Sequence, residues 1–200
     1  MRFAVVASGP SAQGFVPPDG VTVIAVNGAI HWLARADHWF TLDLSRRNQA
    51  ILARPRPGVQ YWVAADRSAE IPRHAKRLER LSSPVPRRAP SRNRSPAWWF
   101  RRLGCVPGLS SDRGKIHTGN SAYGALGLAK HLGASKVLLV GVDATRDERI
   151  DGGFSGNLSH LPMLFGSAVN DIDFVSCGKL SGHGIRQMTI HEGLQWLFTE

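Results

Sequence analysis

Lys115-Ile-His-Thr-Gly-Asn-Ser-Ala-Tyr-Gly-Ala-Leu-Gly-Leu-Ala-Lys-His-Leu-Gly-Ala-Ser-Lys-Val-Leu-Leu-Val-Gly-Val-Asp143 decides the fold class. It reads as a polar turn, a helix rich in small residues, a buried strand and an acidic residue at that strand's carboxyl end. Gly119, Ala122, Gly124, Ala125, Gly127 and Ala129 let the helix lie close to a sheet. Glycine inside a helix costs about 1 kcal/mol relative to alanine, so close packing or a ligand must compensate. In open α/β sheets, ligands bind in the crevice beyond the carboxyl ends of the strands. The segment therefore names both an architecture and the edge on which to look for chemistry.

Working outward, the same alternation recurs. Phe3-Ala-Val-Val-Ala7 reads as a strand that stops at Ser8-Gly-Pro-Ser11. Residues 21–26 form a second strand ending at Asn27, residues 38–42 a third ending at Asp43, and residues 59–64 a fourth ending near Asp66. Short helices are expected over 29–34 and 45–53, a longer one over 158–169, a strand over 173–177 and a closing helix over 189–198. Strands alternating with helices predict an α/β, Rossmann-like domain spanning residues 1–200, its mainly parallel sheet covered on both faces. Residues 82–114 interrupt the pattern. This proline- and arginine-rich stretch has no apolar period and reads as a flexible insertion or lid.

Composition bounds the function. The 200 residues carry a formal charge of +10, which favours anionic partners such as nucleotides, nucleic acid or an anionic acceptor without choosing among them. Two cysteines, Cys105 and Cys177, are too few for a disulfide framework and stand in no Cys-x-x-Cys pair; Cys177 is expected to be a buried strand residue. No apolar run is long enough for a membrane span. The amino terminus enters a strand directly, so the expected location is cytoplasmic.

Candidate binding residues gather at the strand ends. Ser8, Gly9, Pro10 and Ser11 offer close backbone approach and hydroxyls at a helix start, a setting suited to an anion. Both G-x-G-x-x-G and G-x-x-x-x-G-K-[ST] are absent from the sequence. Asn27 suits a base or ribose, and Asp43 a ribose hydroxyl or a metal. Thr118, Gly119, Asn120 and Ser121 supply N–H and hydroxyl groups at the head of the small-residue helix. Asp143 ends the buried strand. His160 is the candidate proton acceptor, in competition with His117, His183 and His191.

Taken together, Ala7-Ser-Gly-Pro-Ser11, Ala25-Val-Asn27 and Thr118-Gly-Asn-Ser121 running to Val140-Gly-Val-Asp143 resemble the bacterial family 42 sialyltransferases. They also resemble the superfamily that holds 6-hydroxymethylpterin diphosphokinases and motility-associated glycosyltransferases, with small phage- and prophage-encoded proteins nearer still. The likeness covers residues 1–66 and 115–178. It implies a nucleotide-sugar donor, CMP-linked in the sialyltransferases, held by Gly9, Pro10, Ser11, Asn27 and residues 118–121, with His160 as general base. Asp143, read from its strand-end position, is the second catalytic candidate, a carboxylate for a metal, a ribose or an acceptor hydroxyl. The chain departs from that family at Asp43, where asparagine is usual, and only Tyr61 and Tyr123 are present to match its phosphate-binding tyrosines. The diphosphokinase likeness implies instead ATP and magnesium on Asp43 and Asp143. A third expectation is a non-enzymatic binder of nucleic acid that uses Arg87 to Arg102 with Trp98 and Trp99.

Overall fold

A computed structural model describes residues 1–85 and 95–199. Nine strands form one sheet: β1 (Arg2–Val6), β2 (Thr22–Val26), β3 (His38–Thr41), β4 (Gln60–Ala65), β5 (Ala75–Leu81), β6 (Lys115–His117), β7 (Lys136–Val140), β8 (Asp173–Ser176) and β9 (Arg186–Gln187). Their spatial order is β6-β5-β4-β3-β2-β1-β7-β8-β9, and every pairing is parallel. The fold is α/β and Rossmann-like, as the alternation predicts.

Two apolar layers sandwich the sheet. Alternate side chains of β1 show why: Phe3 and Val5 enter one layer, Ala4 and Val6 the other. Strands buried on both faces need continuous apolar runs, which β1, β2 and β7 possess. On one face lie α3 (Ser121–His131) and α4 (Leu161–Gly166), with α2 (Pro96–Arg102) against α4. On the other lie α1 (Arg46–Ala53), α5 (Ile190–Phe198) and two 3-10 turns, Pro10–Ala12 and Asn27–His31. A capping box closes the start of α5: Glu192 N–H donates to Thr189 Oγ1, and Thr189 N–H to the Glu192 carboxylate.

α3 leaves the far edge strand β6 and crosses beneath β3, β2 and β1 before the chain re-enters as β7. Its small residues make that crossing close: a Cβ added at Gly124 would lie 2.7 Å from the Phe40 ring. The crossing seats β7 beside β1 and reverses the direction in which the sheet grows. β1 and β7 thus flank the topological switch point, where open α/β sheets bind ligands.

Four points differ from expectation. β5, β6 and β9 carry no apolar run and were not expected as strands. The helix expected over 158–169 is confined to Leu161–Gly166, and that over 29–34 is the 3-10 turn Asn27–His31. Within 82–114, residues 95–114 are built into the domain. Ser95 caps α2 through the Trp98 N–H, Cys105 and Leu109 are buried, and Leu109 N–H donates to Asp171 Oδ2 at 2.7 Å. The arginines Arg87, Arg88, Arg92 and Arg94 lie outside the described residues. No helix among the described residues is long and apolar enough to cross a membrane.

Candidate functional site

A cleft of about 290 Å³ opens at the carboxyl edge of the sheet, over the switch point. Of the sequence-derived candidates, Ser8, Asn27, Asp43, Asn120, Ser121 and Asp143 line it. Gly9, Pro10, Ser11, Thr118, Gly119 and His160 do not.

Each of those six stands behind the wall for a visible reason. Gly9 N–H donates to Gly141 O at 2.9 Å, joining the loop after β1 to the loop after β7. Pro10 and Ser11 lie in the following 3-10 turn, and Ser11 N–H donates to Asp143 Oδ2 at 3.0 Å. Thr118 is buried and continues the ladder of β6, its N–H on Leu81 O at 2.8 Å. Gly119 O faces His160 Nε2 at 3.3 Å.

His160 is 1% exposed, at the amino-terminal cap of α4. Gly119 O can only accept, so Nε2 carries the proton, and Nδ1 is buried without a partner. Burial holds the imidazole below its ordinary pKa of 6.5, opposed by the bond to Gly119 O. The ring is therefore neutral and supports the turn ahead of α3 from behind. Its depressed pKa has a consequence for stability. As pH falls through the ordinary imidazole range, the unfolded chain takes up a proton that the folded chain refuses. Stability is full above that range and falls as pH drops toward the folded value, by about 1.4 kcal/mol per pH unit for each refused proton. His38 and His131 are lowered by burial in the same direction. Denaturant titrations between pH 7.5 and 5 should show this loss, and His160→Gln should flatten part of the slope. An unchanged slope in that variant would contradict the burial argument.

Asp143 is also a structural tie rather than a free carboxylate. It is 3% exposed; Oδ2 accepts the Ser11 N–H and Oδ1 the Lys179 N–H at 2.6 Å. One side chain thus fastens the loops after β1, β7 and β8.

Asn27 is positioned with more freedom. It adopts a left-handed φ of 51° at the end of β2, a conformation asparagine tolerates better than most residues. Its Oδ1 accepts from Thr41 Oγ1 at 2.7 Å and from Asn48 Nδ2 at 3.3 Å, and its carbonyl accepts the Trp39 indole N–H at 2.7 Å. Its Nδ2 donates to no described residue and is left for the cleft. Asp43 is exposed, and one of its oxygens accepts the Ser45 N–H at 2.9 Å. Asn120 caps α3 by accepting the Ala122 N–H at 2.8 Å. α3 therefore points its positive end at the cleft with no acidic residue in its first turn.

The sequence reading missed the cleft's arginines and one of its acids. Arg47 comes from the start of α1; Arg149, Asp151 and Phe154 come from the loop after β7. Burial pulls the Arg149 guanidinium below its ordinary range, while Asp151 and Asp143 raise it again. Arg149 pairs with no carboxylate among the described residues and donates no side-chain hydrogen bond there. Phe154 stands 75% exposed on the rim. No sequence motif marks these four, although Asp151-Gly-Gly-Phe154 is a glycine-flanked loop of a kind that often carries function.

Magnesium fits this cleft poorly. Both Asp143 oxygens are taken by backbone N–H groups, and no three His, Cys, Asp or Glu side chains gather as a metal site among the described residues. The two thiols are buried, which pushes each up to about 12 and makes them inert. Trp98 and Trp99 pack edge to face, 4.6 Å between ring centres, half-buried on α2.

Comparison with protein-family models, with curated proteins and with solved structures finds no match to this chain.

Proposed function

We propose that the protein is a transferase that binds a nucleotide-activated donor, a nucleotide sugar, in the switch-point cleft. The observation that carries this reading is Arg149: a partly buried guanidinium with no acceptor among the described residues, in the same cleft as the amino-terminal end of α3. A guanidinium that lines a cleft with its donors unclaimed is free to pair with an anionic ligand. A phosphate joined to a base and sugar would use the remaining groups. Asn27 Nδ2 and the Ser121 hydroxyl donate, and the Phe154 ring offers a face for stacking.

The resemblance to glycosyltransferases supplies the reaction class, and the cleft supplies groups for it. An acceptor hydroxyl oxygen bonds to the sugar carbon, the bond from that carbon to the phosphate oxygen breaks, and the phosphate leaves with the electron pair. Arg149 and the head of α3 would stabilise the departing charge. The hydroxyl proton would go to Asp43, the exposed carboxylate lining the cleft. His160, buried behind the wall, would act only by supporting Gly119.

A thermal-shift panel with CMP, UDP, GDP and ATP tests the reading, because a ligand that binds only the folded chain raises its melting temperature. One nucleotide should raise it, and Arg149→Ala should weaken that nucleotide by about 10- to 100-fold, the worth of a charge-assisted hydrogen bond. Asp43→Asn should keep the binding and lose transfer. If no nucleotide or nucleotide sugar shifts the melting temperature, the proposal fails.

A further inference from the structure

The loop after β7 holds a group that the proposed reaction leaves unused. The Asp151 side chain is 7% exposed and lies in the cleft wall. Its Oδ2 pairs with the Arg47 guanidinium at 3.1 Å, and the same guanidinium donates to the Asp151 carbonyl at 2.9 Å. Its other oxygen, Oδ1, is sealed from solvent and accepts from nothing. A buried carboxylate oxygen without a donor is an expensive state.

Gly28 makes that state sterically feasible. A Cβ added there would fall inside the Asp151 carboxylate and come within 3.2 Å of the Arg47 guanidinium. The wall at Gly28 and Arg47 is thus shaped for an anion, and the chain's own side chain fills it.

We propose that Asp151 is an internal stand-in for a ligand phosphate, occupying the anion seat between Gly28 and Arg47 and leaving it when a phosphate-bearing ligand arrives. This rests on the reading of the cleft as a nucleotide site. A phosphate cannot share Arg47 with a carboxylate in one small cleft, because like charges at close range repel strongly where water is scarce. The loop has the means to move. Arg146, Asp147, Glu148 and Ile150 are exposed, so little apolar burial holds it down. Besides the Arg47 pairing, it is tied down by one backbone bond, Ile150 N–H to Ser8 O at 2.9 Å, and by the exposed ion pair of Lys179 with Asp147 at 2.9 Å. Arg149 N–H to Gly153 O and Gly152 N–H to Arg149 O are turns within the loop that can move with it. The device also sets selectivity. A doubly charged phosphate displaces a single carboxylate, and an uncharged nucleoside does not.

Two measurements on the full chain test this. In the first, inorganic pyrophosphate and CMP are titrated calorimetrically into the wild type, Asp151→Asn and Arg47→Ala. Asp151→Asn keeps the shape and removes the competing charge, so it should bind pyrophosphate about tenfold tighter, a difference of about 1.4 kcal/mol. Arg47→Ala should lose pyrophosphate binding. In the second, hydrogen exchange at the Ile150 amide of the wild type is followed with and without pyrophosphate. Ligands usually protect a site, but here Ile150 should exchange faster, because its bond to Ser8 O opens as Asp151 swings out of the seat while Arg149 stays on the phosphate. Equal or weaker binding by Asp151→Asn, or slower exchange at Ile150, overturns the proposal; the exchange measurement decides even if the variant folds badly. Tighter pyrophosphate binding without any CMP or other nucleotide binding leaves the device standing and removes the nucleotide reading. Nucleotide binding with no gain in Asp151→Asn does the reverse, and no anion binding in any protein removes both.

Discussion

Gly141→Ala is expected to lower the stability of the protein by about 2–5 kcal/mol, combining the penalty of a left-handed backbone with that of overpacking. Gly141 stands directly after β7 with φ of +67°, a conformation that costs a residue with a Cβ. Space is lacking as well. The added Cβ would overlap the Ala7 carbonyl oxygen and stand 2.8 Å from Ala12 Cβ. Neither obstacle is a flexible side chain, since Ala7 O belongs to the chain leaving β1 and Ala12 is fully buried. The Gly141 carbonyl also accepts the Gly9 N–H, so relief by backbone movement would pull apart the loops beside the cleft. For a domain whose total stability is about 5–15 kcal/mol, such a loss lowers the melting temperature by roughly 10 °C. Urea and thermal unfolding would measure it. A loss below about 1 kcal/mol would mean that the turn between β7 and Asp143 relaxes far more readily than its packing implies.

Asp143→Asn should be nearly as damaging, and to stability before chemistry. The amide nitrogen must replace one carboxylate oxygen, so it meets either the Ser11 or the Lys179 N–H, donor against donor. One buried N–H is then unsatisfied and the other loses a charged acceptor, at a combined cost of about 2–5 kcal/mol. Gly178 raises the stakes: a Cβ there would lie 2.7 Å from Asp143 Oδ1, so the three loops have closed tightly around this side chain. The expected result is a lowered urea midpoint with nucleotide affinity of the folded fraction changed less than threefold, a difference of about 0.7 kcal/mol. An unchanged midpoint with binding or transfer abolished would return Asp143 to the direct chemical role that its strand-end position suggests.

The two variants mark where sequence reading succeeds and where it stops. The small-residue helix of residues 121–131 was legible because Gly124 and Gly127 make sense only against a close sheet, and Gly124 does meet Phe40. The strand ends Ser8, Asn27 and Asp43 were legible as one edge because parallel strands bring all their carboxyl ends to the same side. β5 escaped notice because Lys76 and Arg77 are exposed near the sheet's edge and break the apolar run. Lys115–His117 is three residues long, too short to show any period. Gly9 was legible as a position of close approach, and the Asp143 carboxylate and the Gly141 carbonyl are what crowd it in the fold.

By itself the sequence determined the fold class, the two-sided burial of the sheet and the edge on which the cleft opens. These depend on local properties: apolar runs, helix caps and residues small enough to pack closely. Tertiary structure alone decided which polar groups at that edge face the cleft and which tie loops together. Asp143 and His160 look like reactive groups in the chain, yet backbone N–H groups and a carbonyl claim them in the fold. Arg47 and Asp151 bear no motif, and their pairing joins residues 104 positions apart. A contact of that kind is set by the helix crossing that places β7 beside β1, and no local pattern encodes it.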